Sequence, residues 1–188
     1  MDTKEHILAV AQKLVQQRGF NGFSYADIAE EVGIRKASLH HHFATKAELG
    51  VALIEAFSAQ LDNEFSRISA LPGKADAKLS AYVAIFRGTL DADRMCMGGM
   101  LASEWLTLDN AMLPGLKRFF EHNVEWLTEV LAEGKSQKLF ILSGAASDHA
   151  RMLLSALQGA LLIARATGDK GAFDRTTSLL VTGLTKKG

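Results

Sequence analysis

Disulfides have no place in this chain. Its 188 residues contain a single cysteine, Cys96, which has nothing to pair with inside the molecule and fits a reducing cytoplasm. Proline is almost as scarce, at Pro72 and Pro114 only. Segments of alternating Val, Ile and Thr are also missing, so strand-based folds fall away and long helices remain. Excess charge of either sign is absent too: 21 Lys and Arg balance 21 Asp and Glu. A diffusely polybasic nucleic-acid binder is thereby excluded, and any contact with DNA must rest on a local patch. The opening residues, with Asp2, Lys4 and Glu5, are too charged for a secretory leader, and the apolar run from Met152 to Ala164 is too short to cross a bilayer. The expectation is a cytoplasmic protein with no membrane partner. No Ser-His-Asp set, P-loop, dinucleotide glycine motif, His-Glu-x-x-His or internal repeat can be read along the chain. Neither an enzyme nor a cofactor is expected.

What the chain does have is a dense stretch from Ser24 to Lys46. Ser24 caps a short helix, Asp27 stands three positions on as its capping-box partner, and Ile28, Ala29 and Val32 supply an apolar stripe at helical spacing. Gly33 closes that helix in a left-handed conformation, and Ile34 opens a second one whose inward face is fixed by Leu39 and Phe43. This is the order of a helix-turn-helix. With Leu39 pointing inward and about 100° of rotation per residue, Ala37 and His41 come out opposite it, flanked by Ser38 and His40. Three cations, Arg35, Lys36 and Lys46, and no carboxylate lie between Val32 and Ala47, giving local positive potential to a neutral chain. Ala37 allows close approach to a duplex, and Ser38 serves a phosphate or a base edge. Thr45 and Glu48 form a further capping box, with Lys46 at the positive end of the helix it opens, where a phosphate is well placed. The run His40-His41-His42 fans out by about 100° per residue and cannot converge on one ion, so no metal site is expected.

These residues resemble the TetR-type transcriptional regulators. The family's pattern appears here as Gly19-Phe20, Ser24, Ile28-Ala29, the run Gly33-Ile34-Arg35-Lys36-Ala37-Ser38-Leu39-His40-His41-His42-Phe43, and Lys46. The match spans about the first quarter of the chain and is specific, because many residue types recur at fixed spacing. It implies an all-α chain with an N-terminal three-helix DNA-binding domain at residues 1–46 and a larger helical sensing and dimerisation domain at 47–188. It also implies that Lys36, His42 and Lys46 bind backbone phosphate. Base readout is expected of Ala37, Ser38 and His41. Ser24, Tyr25, Arg35 and His40 complete the expected DNA-contacting set, with His40 standing where the family usually carries a phosphate-binding Tyr.

Elsewhere, apolar periodicity predicts a first helix over residues 3–18 and a long one over 45–70, ended by Leu71-Pro72-Gly73. Further helices are expected over 78–90, 95–108, 114–133, 143–167 and 170–184. The middle of the chain is soft and aromatic. Phe65, Tyr82, Phe86, Cys96, Met97, Met100, Glu104, Trp105, Phe119, Phe120, Asn123 and Trp126 are the candidate lining of a small-molecule site, although Met and aromatic residues at this spacing equally build plain core. Glu104, among apolar neighbours, is either turned to water or matched by a polar or cationic partner. A broad stripe made by Leu153, Leu157, Ala160, Leu161 and Ala164, continued by Phe173, Leu180 and Leu184, is the candidate homodimer interface.

The reading that follows is a repressor that binds a palindromic operator in double-stranded DNA as a homodimer and is released by a small-molecule effector. The alternative is a helical protein-interaction or redox- or metal-sensing regulator without an organic ligand, for which Cys96 with Met95, Met97 and Met100 is the motif.

Overall fold

In the computed structural model, residues 2–185 are described; the outer ends of the two expected domains, Met1 and residues 186–188, lie outside them. The chain is all-α. Its helices are α1 (Thr3–Arg18), α2 (Tyr25–Val32), α3 (Lys36–His42), α4 (Lys46–Ser69), α5 (Ala75–Asp91), α6 (Met97–Ser103), α7 (Leu113–Ser136), α8 (Ala146–Thr167) and α9 (Lys170–Leu184), with a single 3₁₀ turn at Trp105–Thr107. The sole strand-like feature among the described residues is an isolated bridge between Phe140 and Thr185.

The termini follow local chemistry. Asp2 and Glu5 form a reciprocal capping box at the start of α1, and Asp169 caps α9 by accepting from the Ala172 N–H at 3.0 Å. Several expected boundaries shift by one to three residues, α5 starting at Ala75 and α8 at Ala146, and two differences are larger or structurally informative. The helix expected over 95–108 breaks at Glu104, whose backbone leaves helical geometry at φ −101°, ψ 13°, and its tail becomes the 3₁₀ turn. The helix expected over 114–133 runs on to Ser136, and Gln137 and Lys138 form the turn that follows it. The chain then folds back so that the N–H groups of Leu139 and Phe140 donate to the Gly134 carbonyl at 2.9 and 3.2 Å.

Two compact units result: one joins everything up to Asp62 with Arg94–Phe120, and the other joins Asn63–Asp93 with Glu121 onward. A division at residue 46 therefore does not coincide with the packing, because residues 47–62 of α4 and the α6 segment share the core of α1–α3. In that first core Ile7 and Leu14 of α1, Ile28 of α2, Leu39 of α3, Leu49 and Leu53 of α4 and Leu101 of α6 are all essentially without solvent contact.

In the second unit α8 packs on α9 and α5 on both. The face of α8 made by Leu153, Leu157, Ala160, Leu161 and Ala164 is buried here, as are Phe173 and Leu184 of α9. These are the residues assigned to a subunit interface from their periodicity, and the structure corrects that assignment: they fill the subunit's own interior, and Leu180 is half-buried beside them. The opposite faces carry the exposed large apolar side chains, Met152 (51%), Leu162 and Ile163 (59% each) and Leu179 (76%). No described helix is long and apolar enough to cross a membrane.

Candidate nucleic-acid interface

The interface is built from α2, a tight turn and α3. At the start of α2 the carboxylate of Asp27 accepts from both the backbone N–H and the hydroxyl of Ser24, at 2.7 and 2.6 Å. These bonds, with Arg18 3.6 Å away, hold the Asp27 carboxyl below its ordinary range; the Ser24 hydroxyl bond is the largest cause. At the other end Gly33 takes φ 78°, ψ 32° and donates to the carbonyls of Ala29 and Glu30. A residue with a Cβ is strained there, which is why this corner is a glycine. The chain then re-enters helical geometry after Arg35, whose carbonyl accepts the first bonds of α3 from Ser38 and Leu39.

Only Leu39 of α3 is buried, at 0% exposure. Ala37, Ser38 and His41 are exposed, as are Arg35, Lys36 and His40, while His42 is half-buried with its ring 6.0 Å from that of His41. Neither Arg35 nor Lys36 forms an ion pair within the described residues, so both charges face solvent uncompensated. A short helix that commits one residue to the core and turns small, hydroxylic, imidazole and cationic side chains outward is shaped to enter a major groove.

Tyr25, Lys46 and His40, all expected to touch DNA, also bond within the subunit. Tyr25 is 7% exposed and shares its O–H between the carbonyls of Phe43 (3.0 Å) and Thr45 (2.6 Å), bracing both ends of the link between α3 and α4. Burial, with a smaller contribution from Glu48, pushes its phenol up to about 12. Lys46 folds inward. Its Nζ donates to the Phe23 carbonyl at 2.5 Å and lies 4.3 and 4.9 Å from the ring centres of Phe23 and Phe20. Desolvation lowers its ammonium below the ordinary lysine range, against the opposing pull of Glu104 and Asp27. A cation placed this way shores up the domain, and the phosphate role expected of it is corrected accordingly. His40 donates from Nδ1 to the Ala44 carbonyl at 3.2 Å, and its ring packs 4.8 Å from that of Tyr25.

The expected sensor residues divide between the two units. Phe65, Tyr82, Phe86, Asn123 and Trp126 gather in the second unit. Phe65 and Trp126 stack in parallel with ring centres 4.4 Å apart, the Tyr82 hydroxyl donates to Asn123 Oδ1 at 2.9 Å, and Trp126 Nε1 donates to Ser69 Oγ at 3.2 Å. Cys96, Met97, Met100, Glu104, Trp105, Phe119 and Phe120 belong to the first unit. Cys96 is buried at the start of α6, and no cluster of three or more His, Cys, Asp or Glu converges as a metal site among the described residues. Glu104 finds a partner that sequence spacing could not reveal: its carboxylate accepts from the backbone N–H groups of Phe20 and Asn21.

Fold and exposed helix together define a helix-turn-helix DNA-binding protein. Comparison with known proteins makes this specific. Residues 7–53 match the family described as bacterial regulatory proteins, tetR family. A TetR-family transcriptional regulator from Agrobacterium tumefaciens is 32% identical, with 98% of each chain covered and a TM-score of 0.93, and one from Legionella pneumophila is 32% identical over 98% of each chain with a TM-score of 0.90. The HTH-type transcriptional repressor NemR of Escherichia coli K12 is 25% identical over 171 residues, covering 87% of this chain and 84% of that protein. The chain belongs to the TetR family and is a DNA-binding transcriptional regulator.

Proposed function

We propose that the protein is a repressor that binds a near-palindromic operator as a homodimer and leaves it when a small-molecule effector binds. The observation that carries this is the outward set of α3: Ala37, Ser38 and His41 are exposed opposite a fully buried Leu39. In this reading Ala37, Ser38 and His41 read base edges while Arg35, Lys36 and His42 meet backbone phosphates. Residues 1–46 carry the DNA-binding role, on a core they share with residues 47–62 and the α6 segment, and the sensing and dimerising roles fall within 47–188.

Two copies join through the outer faces of α8 and α9, where Met152, Leu162, Ile163 and Leu179 meet their symmetry mates across a two-fold axis. The two recognition helices then fall in successive major grooves about 34–36 Å apart. The effector fits one arrangement of the sensor residues better than another, because equal affinity for both would switch nothing. The aromatic group around Phe65, Tyr82 and Trp126, with Asn123 as polar handle, has the composition for an organic ligand. α4 contributes residues to both units and is the element along which the change passes.

Electrophoretic mobility shift tests the reading. The DNA flanking the protein's own coding region should be bound about 10³-fold or more tightly than random DNA at the same salt. Equal affinity for both would remove the reading of a repressor acting at this operator.

A further inference from the structure

We infer that Glu104 is a positioning residue for DNA binding: its carboxylate latches the loop between α1 and α2 and so holds the recognition helix in its DNA-competent setting. The inference rests on the regulator reading above and adds a named coupling residue to it.

The geometry begins where α6 ends. Glu104 leaves the helix and turns a half-buried carboxylate onto the loop that follows α1, where Oε2 accepts from the Phe20 N–H at 2.6 Å and Oε1 from the Asn21 N–H at 3.2 Å. Bonds from two backbone donors to one ionised acceptor are charge-assisted and short. Gly19 makes the approach possible. It sits at φ +83°, where a side chain is strained, and a Cβ added there would stand 2.7 Å from Glu104 Oε1 and push the carboxylate aside. The neighbouring bonds run between the same segments: Asn21 Nδ2 donates to Thr107 Oγ1 at 2.8 Å, and the Met95 N–H donates to the Gln16 carbonyl at 2.9 Å.

From the loop the contacts run on to α3. Phe20 and Phe23 present their rings to the Lys46 ammonium, which also donates to the Phe23 carbonyl. Lys46 is the first residue of α4. The carbonyl just before it, on Thr45, accepts the Tyr25 hydroxyl together with the carbonyl of Phe43, the residue that ends α3. Glu104 thus stands at one end of a continuous polar and cation–π path whose other end is the recognition helix. It stands also on the segment that carries Cys96, Met97, Met100 and Trp105, so a shift of α6 moves this carboxylate.

The test uses the full-length protein, the DNA flanking its coding region and random DNA of equal length at one salt concentration. Glu104→Ala should lose about tenfold in operator affinity, within the usual range of coupling between sites, while random-DNA affinity stays within about twofold. Glu104→Gln keeps the shape but only one acceptor and no charge, and should lose about threefold; it serves if the alanine variant folds poorly. Linkage is reciprocal. Operator DNA added to the wild-type protein should therefore slow amide hydrogen exchange at Phe20 and Asn21 about tenfold more than random DNA does, and this excess should vanish in Glu104→Ala; a bond of purely structural purpose would be slowed no more than other amides of the same core. Gly19→Ala should also weaken operator binding, and by less once Glu104 is already alanine.

Wild-type operator preference in both Glu104 variants, or equal weakening on operator and random DNA, would overturn the latch and leave the regulator reading standing. A wild-type protein that shows no operator preference would overturn the reading of a repressor acting at this operator.

Discussion

The helices α3 and α8 meet the same demand, covering an apolar face, on opposite terms. α3 has seven residues and buries one of them, Leu39, leaving nearly its whole surface to solvent. α8 has 22 residues and buries seven along one side, yet leaves Leu162 and Ile163 more than half exposed on the other. A helix that gives so little to its own core is held by its neighbours, here by Tyr25 and the Lys46 stack, and is free to offer its face to something else. A helix that fills its own core and still carries large apolar groups outside has two apolar faces, and only the weaker one is left for a partner.

The largest effects should come from the core side of each helix. Leu39→Ala removes the one buried side chain of α3 and should cost about 2–5 kcal/mol, abolishing operator binding; Leu157→Ala, equally buried in α8, should cost a similar amount. Urea denaturation of both variants checks this. A cost below about 1 kcal/mol at Leu39 would mean that α3 is held by something other than its one buried side chain.

Next in size is the outer face. Leu179→Glu with Ile163→Glu places charge on exposed positions, so the subunit should keep its helicity while sedimentation at micromolar concentration shows monomers. Operator affinity should then fall about 10²-fold or more through loss of the second half-site. A dimer that survives both charges would refute the outer faces of α8 and α9 as the joint.

Periodicity explains why one of these faces was legible in the sequence and the other was not. In α3 a single apolar residue, with Phe43 four positions on, defines the inside, so the outside follows by rotation, and Ala37, Ser38 and His41 are exposed as that rotation requires. In α8 periodicity points to the strongest stripe as the partner-facing one, but the strongest stripe is what the subunit's own core claims first. The exposed row at Met152, Leu162 and Ile163 is interrupted by Ser155 and Gly159 and leaves a weaker signal. Glu104 was legible only as a carboxylate needing a partner, because Phe20 and Asn21 lie more than eighty residues away and offer backbone N–H groups that carry no side-chain signature. Lys46 stands at a position to which the family resemblance gives a phosphate role, and Tyr25 belongs to the expected DNA-contacting set. What turned them inward was the proximity of carbonyls and rings that spacing does not encode.

Two lysines sharpen the contrast between holding a helix and using it. Lys36 is exposed on α3, and Lys36→Ala should leave stability unchanged while reducing the salt dependence of operator binding by about one unit of slope. Lys46→Ala should do the reverse, costing about 1–2 kcal/mol of stability through the lost cation–π and carbonyl contacts with the slope unchanged. Titrating binding against salt beside denaturation separates the two roles, and a slope change at Lys46 would return it to the phosphate-binding set.

The smallest effect is the phenol that braces α3. Tyr25 donates to two main-chain carbonyls only while neutral, and burial raises it from the ordinary 10.0 to about 12. A group whose folded value is raised stabilises the fold fully below its unfolded value, and that contribution is lost as pH rises through the folded one. The brace should therefore be intact below about pH 10 and fade between 10 and 12. Tyr25→Phe should cost about 0.5–1.5 kcal/mol at neutral pH. Its stability deficit relative to the wild-type protein should shrink across that alkaline interval, because the wild-type protein is then losing what the variant never had. Paired denaturation curves at pH 8 and pH 11 measure the difference: no deficit at pH 8 would show that the hydroxyl of Tyr25 contributes nothing to holding the recognition helix, and a deficit that stays constant between them would show that its phenol does not titrate across that interval.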